Sequence, residues 1–425
     1  RCLLEGVRTS KFLLGESGDL YLARLVRAFF MKNFLKSRLL PAALLAALLV
    51  ASQFLQGQAG GRTLVFALAS GTVLGLVLQR SRFCFYCHAR DWFEDRNPRG
   101  LLAILLALAV GVVGYTVVLG SWLPVPVPGN LPPDMHIGPV SWVLVAAGLS
   151  FGAGMVVSGS CISAHWYRLA EGSTVSPFAL VGSALGFILG FLTWNPLYSL
   201  SVADAPVVWL PAHLGYGGAL ALQLAVLAAL AAWLWRGFAH DKPAAGSPSS
   251  KVPTLRQVWA RLWTGRWDYW VGGMAVGLIG AFAIVRMRPL GVTATLGSAA
   301  RHVGQQQGWI PDRLDGLDGF AGCATLPQAT WLTPNALLLA GLVAGAFVGA
   351  LTSRQFTPRW PSLRDAVRGL SGGVLLGWGA MTGLGCTIGT LLSGGMAGAL
   401  SGWVFGASLF FAIWAGLRLK RWLAA

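Results

Sequence analysis

The chain has 425 residues, of which 55% are hydrophobic and only 11% charged, and it carries a net charge of +17. Soluble domains hold about 25% charged residues, so this balance excludes an ordinary soluble enzyme and identifies a polytopic membrane protein. The excess of Lys and Arg reads as cytoplasmic loops of a membrane protein rather than a nucleic-acid surface, because no basic stripe interleaved with aromatics is present.

Residues 1–30 are polar and without a clear period, and Met31 opens MKNFLKSRLLPAALLAALLVAS, which has the form of a natural start. Residues 1–37 are therefore expected to be an N-terminal extension, disordered or a mis-set start. Apolar runs then predict about ten spans, at 38–56, 63–79, 101–120, 141–158, 176–194, 217–235, 270–285, 335–351, 371–388 and 398–417. Each approaches the ~20 residues that cross a bilayer as a helix. The 56 glycines, about twice the usual share, suit close packing of membrane helices. The loops set the orientation. Segments 121–140 and 195–216 hold no Lys or Arg, whereas 80–99 holds five, 236–266 six and 353–368 four, so both termini are placed in the cytoplasm. Segment 286–333 departs from this scheme with Arg286, Arg288, Arg301 and Arg313, and part of it is expected to be re-entrant or cavity-lining. The Pro/Ser/Gly-rich stretch 240–254 lies in a cytoplasmic linker, 240–266, between membrane regions 38–239 and 267–425.

The two regions resemble each other. GLSFGAGMVVSGSC (148–161) aligns without gaps on GVLLGWGAMTGLGC (373–386), matching Gly148, Gly152, Gly154 and Cys161 to Gly373, Gly377, Gly379 and Cys386. Arg80 and Arg82 have a weaker echo in Arg286 and Arg288. In the topology above the two halves run in opposite directions. The expected fold class is therefore an all-α polytopic membrane protein with inverted pseudo-symmetric repeats and re-entrant Gly-Cys segments, an architecture that places a substrate near the midplane where broken helices meet. GLGCTIG is too Gly-rich for a continuous helix, and a helix broken there exposes N–H groups that attract anions.

The spans hold almost no Asp or Glu, so neither a carboxylate proton relay nor an acidic ring for cations is evident. Cys84-Phe85-Tyr86-Cys87-His88 spells a c-type haem attachment motif and also a CxxC dithiol. Haem is attached outside the cytoplasm, whereas the basic residues around 80–99 put this segment inside, and a single CxxCH lacks a second ligand pair for zinc. No metal and no cofactor is expected. The loop carrying Asp312, Asp315 and Asp318 ahead of Cys323 does not follow a calcium-loop template. His165, four residues after Cys161, reads as an interfacial residue, and Cys2 is given no role.

RSRFC followed by ARD (80–91), GSC (159–161) and GLGC (383–386) resemble the YeeE/YedE family of thiosulfate-uptake membrane proteins, over roughly residues 63–417. The resemblance implies inverted helical halves pinched at the middle, and a bacterial inner-membrane transporter that is not an enzyme and that imports thiosulfate or a related small sulphur-containing anion. It implies that Cys84, Cys161 and Cys386 contact the passing substrate, with Gly385, Ser160 and Arg82 beside them. It also makes a cytoplasmic sulphur-carrier protein a plausible partner. On this reading the substrate steps between Cys161 and Cys386, with Cys84 on the cytoplasmic side. Cys87 has no counterpart in the family pattern, and Gly159-Ser160-Cys161 is looser than a strict GxGC. A selenium-compound transporter, a membrane oxidoreductase using Cys84 and Cys87, and an accessory membrane subunit stay open as alternatives.

Overall fold

The computed structural model describes residues 39–238, 254, 259, 262–320 and 332–423. The extension 1–37, most of the linker, Cys2 and Cys323 lie outside the described residues. The described chain is almost entirely helical, with two isolated β-bridges joining Pro139 to Val207 and Trp209 to Ala399. Thirteen α-helices run α1 Leu39–Gln56, α2 Gly61–Ser81, α3 Phe85–Asp95, α4 Arg99–Trp122, α5 Trp142–Ser158, α6 Ile162–Ala170, α7 Ser176–Leu197, α8 Leu210–Phe238, α9 Tyr269–Arg286, α10 Ala294–Gln306, α11 Pro334–Thr352, α12 Leu363–Thr382 and α13 Leu400–Trp422. A π-helical segment, Thr387–Gly394, lies between α12 and α13. Among the described residues nine helical stretches are long and apolar enough to cross a membrane, against ten expected. The difference is α1, whose apolar stretch Leu40–Gln56 is shorter than the others. Among the described residues, Leu39–Phe54 belong to a separate unit, and the rest of this description concerns the chain from Leu55 onward.

Local chemistry sets where these helices start and stop. The Ser141 hydroxyl accepts from the Leu144 N–H at 3.3 Å and opens α5, and Ser362 and Asp365 form a reciprocal capping box at the start of α12. α2 ends at Arg82, which takes a left-handed conformation (φ 51°), and α5 ends at Gly159 (φ 85°), where glycine adopts that region without strain.

The helices then pack through glycine. Gly71 and Gly75 of α2 face the backbone of Leu338 and Leu342 on α11, while Gly341 and Gly345 face Leu68 and Thr72 in return. The pair α7 and α12 is built the same way, with Gly182 and Gly186 against Leu370 and Val374, and Gly373 and Gly377 against Ala179 and Ser183. Because lipid is as apolar as a leucine side chain, such pairs are held by close backbone approach and dispersion rather than by hydrophobic burial. α5 and α12 run antiparallel: Gly372 lies against Ser158 at the end of α5, and Gly379 lies against Ala147 and Phe151 nearer its start.

Segment 286–333 contains a short helix, α10, preceded by a buried break at 289–293. Its Arg301 is 4% exposed and donates to Asp318 at 3.2 and 3.3 Å, and Arg288 pairs with Asp134 at 3.2 Å. The end of the linker is held to α2. The Arg80 guanidinium donates to the Trp263 and Gly265 carbonyls and to Thr352 Oγ1, and the Trp267 N–H donates to the Arg80 carbonyl at 3.1 Å.

A methyl group on Gly377 would stand 2.9 Å from Gly186 Cα and closer still to the Ser183 backbone. Gly377→Ala is expected to destabilise the protein by about 1–3 kcal/mol, read as a lower melting temperature in detergent. Gly319→Ala, where nothing lies within 4 Å, is the control and should leave the melting temperature unchanged.

Candidate functional site

Three cysteines occupy the same structural position. Cys84 precedes the first residue of α3, Cys161 that of α6 and Cys386 that of the π-helical segment, each directly after a break in a membrane helix. All three are 0% exposed, and Cys87 is 7% exposed. At such a position the first N–H groups of the following helix have no partner within it, so the thiol stands beside a concentration of positive dipole.

The first two breaks meet. Cys84 Sγ lies 3.6 Å from Ser160 Oγ, and the Cys84 and Cys161 thiols are within hydrogen-bonding reach of each other. Cys161 Sγ contacts Ser163 Oγ at 3.2 Å. Arg168, seven residues after Cys161 and so two turns along the same face of α6, ties the cluster together. Its Nη1 donates to the Gly159 carbonyl at 3.2 Å and its Nη2 to Cys87 Sγ at 3.1 Å. Cys87 therefore belongs to the cluster, beside an arginine that no motif in the sequence singled out. Arg82 is half-buried near Glu171, whose carboxylate accepts from Gln79 Nε2 at 3.1 Å. Burial holds the Glu171 carboxyl above its usual range, partly offset by the Gln79 bond and by Arg168 and Arg82.

His88, which completes the haem spelling, is part of the core. Its ring packs edge-on against Phe83 and Tyr269, with centroids 5.9 and 5.0 Å away, and Gly100 leaves it room. With Cys84 and Cys87 also buried, the motif has no surface at which a macrocycle could approach. His165 is likewise 1% exposed rather than interfacial, with Nδ1 3.2 Å from Ser176 Oγ.

Cys386 lies at the other end of the helix pair. Because α5 and α12 are antiparallel, Cys161 leaves the pair beside Gly372, while Cys386 leaves it beyond Gly379, near the start of α5. The two levels, Gly372 and Gly379 on α12, are about 10 Å of helix apart. The close thiol pair is Cys84 with Cys161. Leu384 takes a left-handed conformation (φ 56°), and Thr390 holds the break by donating from Oγ1 to the Gly383 carbonyl at 3.0 Å while its N–H donates to the Cys386 carbonyl at 2.8 Å. Gly385 has no room for a side chain, since a Cβ there would meet Thr390 Oγ1 at 2.5 Å.

Beside this break lies a narrow cleft with a cavity volume of about 10 Å³, room for about one water, lined by His136, Leu144, Thr382, Leu384, Thr390 and Ser401 among others. His136 was not marked by any spacing in the sequence. It is 7% exposed, is held with φ 56°, and its imidazole bonds to the Leu384 backbone while Nδ1 has no partner among the described residues.

The chain matches the family model described as Sulphur transport over residues 80–415. It is 26% identical over 374 residues to the thiosulfate transporter TsuA of Escherichia coli, covering 82% of this chain and 92% of that one. It is 28% identical over 358 residues to the thiosulfate transporter TsuA of Spirochaeta thermophila, covering 81% and 94%. A shorter match, 28% over 165 residues and 39% of each chain, is to the probable transporter YedE of Escherichia coli.

Burial of all four described cysteines gives a direct check. In a Cys2→Ser/Cys323→Ser background, a bulky maleimide is expected to label the native protein in detergent at a small fraction of the rate seen after SDS denaturation, counted by mass spectrometry.

Proposed function

From its membership of the Sulphur transport family, which the match over residues 80–415 establishes, we propose that this protein imports thiosulfate or a related small sulphur-containing anion through a cysteine-lined constriction. The observation that carries this reading is the recurrence of one arrangement, a buried thiol at the start of a helix after a break, at both ends of the α5–α12 pair. The named thiosulfate transporters that align over four-fifths of the chain support the substrate class.

The physics of the arrangement suits a soft anion. Thiosulfate is a dianion with a polarisable terminal sulphur. A neutral thiol offers a weak S–H donor to it, and the helix N-terminus adds positive potential without a full charge. A fixed cation would bind a dianion tightly, whereas conduction needs sites weak enough to release it. With the basic loops in the cytoplasm, Cys386 and Gly385 face the outer half of the bacterial inner membrane, and Cys161, Ser160 and Cys84 face the inner half. The anion passes the first and then the second, and leaves past Arg82 at the cytoplasmic end, where a sulphur-carrier protein could receive it.

The proximity of Cys84 to Cys87 keeps a dithiol reading in play as the alternative. One uptake assay separates the two. Cys84→Ala, Cys161→Ala and Cys386→Ala are each expected to lower labelled thiosulfate uptake by tenfold or more, and Cys87→Ser to stay within about twofold of wild type. Wild-type uptake in all three alanine variants refutes the transport path, and loss of function confined to the Cys84 and Cys87 variants favours the dithiol.

A further inference from the structure

We propose that His136 is a proton-dependent ligand of the anion, its Nδ1 taking up a proton as the anion settles beside Gly385 and Cys386. This rests on the transport reading above and adds a residue and a regulation to it.

Two independent features carry the inference. First, Nδ1 is aimed at the break. A Cβ on Gly385 would stand 3.5 Å from it, with no other group of the described chain serving as its hydrogen-bond partner. The ring also lies within reach of the Leu384 backbone. Second, the ring is held there at a conformational cost. His136 and Asp134 both take left-handed backbone conformations, with φ of 56° and 61°, in a segment fastened by the Gly138 N–H to Ser401 Oγ at 3.2 Å and by Val140 N–H to the Pro206 carbonyl at 2.9 Å. Non-glycine residues adopt this region rarely, and such strain clusters at functional sites.

The charges around the ring are few. From its own segment Asp134 faces it, but that carboxylate is paired with Arg288 at 3.2 Å. The other side chains lining the cleft, among them Ser141, Thr382, Thr390, Ser401 and Leu144, are hydroxyls and apolar groups without charge. Burial is the larger influence and pushes the imidazole down to about 4, with the Leu384 bond and Asp134 opposing it, so the empty site is neutral at pH 7. An anion beside Nδ1 favours the protonated ring and raises that value. Protonation therefore accompanies binding, and affinity rises as pH falls through the window between about 4 and the anion-bound value. The proton comes from solvent, no bond to the anion is formed, and a dianion entering with one proton carries one negative charge fewer across the membrane.

The test uses the purified full-length protein in detergent with labelled thiosulfate. The wild type is expected to bind about tenfold more tightly at pH 5.5 than at pH 7.5, and to take up about one proton per anion in weakly buffered solution with an indicator dye. His136→Asn, chosen because asparagine tolerates the left-handed conformation, should bind more weakly and change less than twofold over the same range. A flat wild-type profile with no proton uptake overturns the proposal, as does an Asn variant that keeps the wild-type slope. The proton count on the wild type decides the matter even where the variant fails to fold. If wild-type protein binds no thiosulfate at any pH, the transport reading itself fails. If it binds, Cys386→Ala weakens it and the profile is flat, only the role of His136 falls.

Discussion

The structure depends on one constraint: backbone polar groups inside a membrane must be satisfied, so a helix can be broken there only where protein surrounds the break. Each of the three breaks that present a thiol meets this requirement differently. At Arg82 the chain turns with a left-handed residue whose N–H returns to the Leu78 carbonyl. At Gly159 the freed carbonyl is taken by Arg168. At Gly383 it is taken by the Thr390 hydroxyl. The thiols are left over from this accounting, buried and placed at helix starts where positive dipole accumulates. The Arg168 guanidinium is the fixed charge of the Cys84–Cys161 cluster, and it is shared with the Gly159 carbonyl and Cys87 Sγ.

Glycine makes the breaks affordable. The crossings of α2 with α11 and of α7 with α12 bring backbones into contact on both faces, and α12 is gripped on a further side by α5. That grip carries the break at 383–386 into a region where every residue from Gly379 to Ala399 is buried, so the backbone there is screened from lipid. The same antiparallel contact between α5 and α12 sends the two Gly-Cys breaks to opposite ends of one helix pair.

Several of these features could be read from residue order. The membrane class follows from the low charge content, the spans from apolar runs, and the breaks from Gly-Cys clusters too poor in helix formers to continue. The haem spelling at 84–88 was set aside by charge in the sequence, and the packing of His88 against Phe83 and Tyr269 gives the structural counterpart. The dithiol spelling stays open as an alternative in the sequence, and Cys87 sits within 3.1 Å of Arg168.

What the sequence determined by itself is everything that depends on local pattern: helical class, the places where helices stop, and which residue follows each break. What only the tertiary structure decided is which breaks meet. Cys84 and Cys161 are 77 positions apart and touch, Cys161 and Cys386 match in pattern and leave opposite ends of the α5–α12 pair, and His136 reaches Gly385 from a loop with no motif. The physical reason is that periodicity and composition fix a residue's own backbone, whereas contacts between distant segments are set by how glycine faces seat against one another, and that seating is a property of surfaces rather than of spacing.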